Sequence, residues 1–346
     1  MSELFLELFS EEIPSGLQKN AREGILKLFT ESFKKSNIKF KTSKSYSTPK
    51  RLVFFFDGIS EKIELKGKTI KGPRTDVSSF ALESFLKSNN LNRSEVSEQN
   101  TEKGRFFFAQ VNPKILEVKQ ELHKLIPEIL KKYSWKKSMR WADHSLSWGR
   151  PLKSILALFD DQIIKFNFYH LQSNNLTFAD EIMEENQKTI KNFKFYLKLL
   201  DSKKIILDQN CRKQIIVKQI EKVCRVKKFK NKLNENLLEE IVDLVETPNV
   251  LVGKFDKSFL DIPKEILITS MQKHQKYFPI FDEKENLTNT FIIVTNIEDK
   301  KGFVKIGNER VISARLSDAK FFWEKNKAQS LVKQVNNLKS INFFSK

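Results

Sequence analysis

Four side chains able to grip a polyanion through flat surfaces fall within eleven residues: Arg140, Trp141, Trp148 and Arg150. A guanidinium fork holds phosphate bidentately and an indole stacks on a base, so the group reads as an RNA platform. It reads more readily as a structural Arg–Trp cluster closing the core beside a helix that ends near Tyr133. Arginine is scarce here, with 11 Arg among the 62 Lys and Arg residues. Where Arg persists, a rigid planar fork is expected to matter, because Lys keeps the charge and loses the geometry.

Charge density marks a second candidate. Between 188 and 232, fifteen Lys or Arg face only Asp201, Asp208 and Glu221, an excess of twelve in a chain of net charge +19. Ile215, Gln219 and Val223 have helical spacing. The segment is therefore expected to be a basic helical hairpin, with Lys213, Lys218, Lys222 and Arg225 as phosphate contacts. A chain rich in Lys, Asn, Ile and Phe, as an AT-rich genome produces, would give the same charge as a plain solvated face. A third polar face comprises Gln272, Lys273, Gln275, Lys276 and Tyr277, directed at a partner or at solvent.

Other chemistry is poorly supplied. Gly67-Lys68-Thr69 suggests a phosphate-binding loop, but Lys62 stands where the first glycine of that motif is required. Lys136-Lys137-Ser138-Met139-Arg140 has the wrong residue order for the signature loop of a class I synthetase. With 10 glycines and no G-x-G, a glycine-rich nucleotide cradle is not expected. His123, His144, His170 and His274 are isolated along the chain, and Cys211 and Cys224 have no histidine near them, so neither metal nor disulfide is expected. No Ser or Cys sits in a recognisable nucleophile elbow. No catalytic centre is visible in the sequence.

The elements that must carry these residues alternate in type. Leu4, Leu6 and Leu8 alternate with Phe5, Glu7 and Phe9 as a strand, and a helix follows with Leu17, Ala21, Ile25, Leu28 and Phe33 on one face. Strands are expected at 38–47, 51–57 and 106–111, and a helix near 77–88. A further helix carries Ile115, Val118, Leu122, Leu125 and Ile129 and is kinked or restarted at Pro127. Leu152–Phe159 and Ile163–Phe168 read as a hairpin. Beyond Thr247-Pro248 come a strand near 250–255, a helix near 264–276, a strand at 290–296 and a helix from about 315. Helices mixed with hairpins predict an α+β chain of several domains. Glu11 and Glu12 are expected to pair with Arg51 from a neighbouring strand. No apolar run is long enough to span a bilayer, and the N-terminus does not read as a signal peptide.

Several short strings together carry a family resemblance. They are Phe5-Leu6-Glu7-Leu8-Phe9-Ser10-Glu11-Glu12-Ile13-Pro14, Thr48-Pro49-Lys50-Arg51-Leu52, Lys71-Gly72-Pro73, Met139-Arg140-Trp141 and Trp148-Gly149-Arg150-Pro151. A longer stretch runs from Leu244-Val245-Glu246 to Phe322. It includes Met271 to Pro279, Asn296-Ile297-Glu298, Gly307-Asn308-Glu309 and Arg315-Leu316-Ser317-Asp318-Ala319-Lys320-Phe321-Phe322. In this order and spacing the chain resembles the N-terminal half of the β subunit of bacterial two-subunit glycyl-tRNA synthetase. It departs at Asn175-Leu176-Thr177-Phe178, where family members carry Gly-His-Arg-Phe.

The resemblance implies a cytoplasmic subunit of glycine–tRNA ligase that contributes tRNA binding to ATP-dependent glycylation of tRNA(Gly). It implies no catalytic residue and no cofactor in this chain, because ATP and Mg are used through a separate α subunit in an α2β2 heterotetramer. Candidate tRNA contacts are Arg140, Trp141, Arg150, Lys213, Lys218, Lys222, Arg225, Lys273 and Lys276. The implied organisation is an N-terminal α+β region at 1–185, the basic hairpin at 186–234, and an α+β region at 235–346 leading into a missing HD-like domain. The middle of the subunit is implied to be related in fold to the editing-type module of the phenylalanyl-tRNA synthetase β subunit. The alternative is a freestanding RNA-binding fragment or an inactive truncated gene product.

Overall fold

The computed structural model describes residues 2–328 except 66, 78, 90, 112 and 180–186, together with 332 and 335. The expected boundary at 185/186 and the terminal stretch from Leu338 therefore lie outside the described residues.

The chain opens with β1 (Ser2–Ser10), α1 (Ser15–Lys35), β2 (Thr42–Thr48) and β3 (Arg51–Ile59). A small appendage follows: β4 (Lys62–Leu65), β5 (Lys68–Arg74), α2 (Ser79–Asn89), β6 (Val96–Thr101), β7 (Gly104–Val111) and β8 (Lys114–Glu117). Then come α3 (Val118–Lys132), β9 (Leu152–Phe159), β10 (Gln162–Ile163), β11 (Asn167–Phe168), β12 (Leu171–Gln172), β13 (Leu176–Phe178) and β14 (Gln187–Thr189). The second half holds α4 (Phe193–Ser202), α5 (Gln209–Lys227), β15 (Lys230–Asn231), α6 (Glu235–Val242), β16 (Asn249–Lys254) and α7 (Lys264–Thr269). A π-helical turn (Ser270–His274), β17 (Phe278–Phe281), β18 (Leu287–Thr295) and α8 (Phe303–Lys327) complete it.

The first sheet is antiparallel in the order β10-β9-β1-β3-β2. Its central strands β9, β1 and β3 are buried on both faces, and period-two alternation decides what each face receives. Leu4, Leu6 and Leu8 join Phe54, Phe56, Ile155 and Ala157 beneath α1 and α3. Phe5 and Val53 turn the other way, with Leu156 and Leu158, onto Phe193, Tyr196 and Leu200 of α4. Glu7 shares this second face and is fully buried. A second antiparallel sheet runs β15-β17-β18-β16. Phe278, Ile280 and Ile292 pack on α5 and α6 on one side, while Phe291 and Ile293 pack on the other with Ile312 and Leu316 of α8.

Mixed helices and antiparallel sheets agree with the expected α+β class. Several local expectations change. Ile115 lies in β8 and is exposed, so α3 starts three residues later, at Val118. Pro127 is accommodated inside α3. The 264–276 helix is a short α-helix followed by a π turn, and the last helix begins at Phe303, well before 315. The basic segment divides between two cores, α4 joining the first sheet and α5 the second. No helix of the described residues is long and apolar enough to cross a membrane.

Candidate nucleic-acid interface

The two sheets meet at a buried polar junction. At its centre Arg51, which opens β3, lies among Glu7 of β1, Glu246, Thr48 and the carbonyl oxygen of Phe178. Its Nη1 donates to Glu246 Oε1 and its Nη2 to Phe178 O, while Nε stands 3.4 Å from Glu7 Oε2. Thr48 Oγ1 donates to the same Glu246 oxygen at 2.5 Å, Thr177 Oγ1 to Glu7 Oε1 at 2.6 Å, and the Tyr196 hydroxyl to Glu7 Oε2. The guanidinium also lies over the Phe9 ring, 5.1 Å from its centroid.

Glu11 and Glu12 are not part of this cluster, contrary to expectation. Glu11 reaches Lys153 at 2.6 Å instead. The reason is the strand period: Glu7 points into the α4 face, whereas Glu11 and Glu12 lie past the end of β1 and are exposed.

Burial separates the two acids that face Arg51. Burial pushes Glu246 up, but the Arg51 charge and the Thr48 and Arg51 hydrogen bonds more than offset it, leaving the carboxyl below the usual range. Burial raises Glu7, and Arg51, Thr177 and Tyr196 offset this only in part. Arg51 itself is held firmly charged, its burial outweighed chiefly by Glu246. One cation thus serves one fully ionised acid and one that resists ionisation.

Arg212 of α5 makes a second buried junction. Its Nε donates to Val242 O at 3.1 Å, Nη1 to Ile206 O and Leu207 O at 2.7 and 2.9 Å, and Nη2 to Ser47 O at 2.7 Å. Five donors in a fixed plane reach four carbonyls on three separate segments, which an ammonium cannot do. Burial pushes the group down to about 10, against the opposing pull of Asp243 and Glu246. Gln18 and Asn296 finish the joint, Gln18 Nε2 donating to Asp243 O at 2.6 Å and Asn296 Oδ1 accepting from Glu246 N and Thr247 N.

Beside this junction α1, β2, α5 and α6 border a cavity of about 390 Å³ that includes Arg22, Lys213 and Asp243 in its lining. Burial pushes the Asp243 carboxyl up to about 6, although Arg22 and Arg212 pull it down. An acid whose folded pKa lies above its unfolded value, 3.8, loses stability when it ionises. The penalty is absent below pH 3.8, grows between there and about 6 and is complete above, at most about 3 kcal/mol. Asp243→Asn is therefore expected to gain stability in urea melts at pH 8 and only about a third as much at pH 4.5. An equal change at both pH values contradicts the assignment.

The Arg–Trp segment divides into an inside and an outside. Trp148 and Trp135 are buried, with rings edge to face at 5.1 Å, and Tyr133 packs against Trp135 at 5.2 Å. An antiparallel bridge between Met139 and Trp148 closes the loop, and Gly149 is required there because a Cβ would lie 2.5 Å from the Trp135 ring. The tryptophans thus close the first core. Arg140 is exposed, and Arg150 is half-buried with its Nη1 on Gly149 O at 2.7 Å. Trp141 is half-buried at the edges of His144 and His170, whose rings stack at 3.5 Å. That pairing of histidines 26 residues apart gives no signal in the sequence.

The basic candidates also separate. Lys213 is engaged by Glu235 and Glu239, and Lys276 by Glu240 at 2.8 Å. Lys218, Lys222 and Arg225 are exposed along α5 and make no ion pair among the described residues. Lys273 is exposed on the π turn. Among the described residues no three His, Cys, Asp or Glu side chains gather as a metal site.

Comparison with known proteins gives this arrangement a family. The chain belongs to the family of the glycyl-tRNA synthetase beta subunit, whose profile matches residues 4–346. It is 36% identical over 349 residues to the glycine–tRNA ligase beta subunit of Rickettsia felis, covering 100% of this chain and 52% of that protein. The corresponding subunit of Rickettsia akari is 36% identical over 347 residues and is again covered to 52%. That of Rickettsia bellii is 35% identical and covered to 53%. The chain spans about half the length of the curated relatives it matches.

Three of the strings behind the resemblance meet in one place. Glu7 comes from the first, Thr48 and Arg51 from the second, and Glu246 from the start of the longest. Thr177, which stands in the Asn175–Phe178 departure, supplies a hydrogen bond to Glu7. Sequence reading missed Glu7, Glu246 and Arg212. The available signal was an acid flanked by Leu6 and Leu8 in β1, and an Arg in an Arg-poor chain.

Proposed function

We propose that the chain contributes tRNA binding to a glycine–tRNA ligase, acting as the N-terminal half of its β subunit in ATP-dependent glycylation of tRNA(Gly). Family membership over residues 4–346 carries this reading. The exposed Lys218, Lys222 and Arg225 on α5 support it, since unpaired cations on one helix can displace counterions from a phosphate backbone. Arg140, Trp141, Arg150 and Lys273 are secondary contacts. Lys213 and Lys276 contribute only if tRNA displaces their carboxylate partners.

In the same proposal ATP, Mg and glycine are handled by a separate α subunit, the assembly is an α2β2 heterotetramer, and the protein works in the cytoplasm. The division at 185 and 234 belongs to it too, on the change in charge along the chain, as do the HD-like continuation and the kinship of the central region to an editing-type module, on the resemblance alone. Glycine-dependent pyrophosphate exchange tests the division of labour. Purified residues 1–346 are expected to show none, and the α subunit is expected to supply it. Exchange by this chain alone, free of host synthetase, contradicts the proposal.

A further inference from the structure

Helix α8 is packed on one side only. Ile312 and Leu316 are fully buried against the second sheet, and Tyr277 Oη donates to Asn308 Oδ1 at 2.5 Å on the same side. The opposite side carries Phe303, Gly307, Arg310, Ala314, Ser317 and Phe321, all exposed. These recur at alternating intervals of four and three, the 3.5-residue spacing of a seam that meets another helix. Phe303 is 70% exposed and Phe321 61%, with Phe322 beside it at 57%. Three open phenylalanines on one helix exceed the scattered apolar residues of an ordinary surface.

Gly307 gives an independent indication. Glycine inside a helix is costly, and nothing lies within 4 Å of where its Cβ would be. No neighbour within the described residues demands it. A helix crossing closely at Gly307 and Ala314 would. Arg310, between them, makes no ion pair among the described residues, leaving its fork free for a carboxylate opposite.

We propose that this seam docks a helix from the second half of the family's β subunit, with apolar side chains against Phe303 and Phe321 and an acid against Arg310. The occupant follows from length. The chain covers 52% of the Rickettsia felis subunit, so about as much polypeptide again exists in the relative, and α8 ends 19 residues before Lys346, the last residue that the family profile matches. The helix therefore stands at the border between the matched half and the rest. The inference rests on family membership and is independent of tRNA binding.

Thiol labelling tests it in two intact proteins. One is residues 1–346 carrying Ala314→Cys with Cys211→Ser, which removes the exposed native thiol. The other is the full-length Rickettsia felis subunit with its single cysteine at the position aligned with Ala314. The short chain is expected to react at the rate of an open cysteine, and the full-length subunit, without α subunit or tRNA, at least tenfold more slowly. Gly307→Ala is expected to raise the melting temperature of the short chain, since the new methyl meets nothing. Equal labelling of the two proteins overturns the proposal. So does protection in the short chain itself, which would assign the seam to its own C-terminal residues or to a second copy. Protection of the full-length subunit only after tRNA or α subunit is added also overturns it.

Discussion

Arg51→Met is expected to lower unfolding stability by about 3–5 kcal/mol, because it strands the buried, ionised Glu246 with no cation and leaves Glu7 without its charged neighbour. Glu7 and Glu246 are both buried and each faces the guanidinium. The large effect comes from leaving charges uncompensated, and says little about what the intact pair contributes over an apolar replacement. Arg51→Lys keeps a charge but cannot reach Glu246, Glu7 and Phe178 O together, so an intermediate loss is expected. Arg140→Met, at an exposed position, should stay within about 0.5 kcal/mol of the parent. Urea unfolding of the three variants decides the matter, and Arg51→Met within about 1 kcal/mol of the parent contradicts the junction.

Arg212→Leu should cost about 2–4 kcal/mol. The substitution leaves the carbonyls of Ser47, Ile206, Leu207 and Val242 without their donor, on segments that belong to different cores. Each orphaned carbonyl costs about 1–3 kcal/mol if nothing moves, and partial rearrangement and water entry keep the total well below the sum. Arg212→Lys is expected to recover less than half, since one ammonium cannot span three segments. Hydrogen exchange gives a second readout, with amides flanking Ser47 and Val242 opening first in the variant. Added salt should not reproduce these losses, because both guanidiniums are buried away from mobile ions.

What the sequence made legible follows from which interactions leave a local pattern. Leu4, Leu6 and Leu8 against Phe5 and Phe9 announce a strand because one residue in two meets each face. The same rule hid Glu7, which reads as the polar member of an alternating strand until α4 covers that face. The expectation that a retained Arg serves a rigid fork applies to Arg51 and Arg212, the arginines found fully buried among hydrogen-bond acceptors. It could not choose among 11 arginines, because the partners lie as far as 195 residues away, at Glu246 from Arg51. The early start of α8 was obscured by Gly302 and Gly307, which locally resemble turn residues. The charge of the 188–232 segment was plain, but not which lysines carboxylates already hold. Lys213 meets Glu235 and Glu239 only after α6 folds back beside α5.

The most direct test of the central claim is the salt dependence of tRNA(Gly) binding to residues 1–346. Log affinity should fall linearly with log salt. Replacing Lys218, Lys222 and Arg225 together by Gln should flatten that slope by roughly one unit for each phosphate that the protein no longer neutralises. Lys213→Gln should leave the slope nearly unchanged, because its ammonium already sits on Glu235 and Glu239. A slope that the triple variant does not alter would show that the α5 cations are ordinary solvated surface, and would contradict the assignment of tRNA binding to this face.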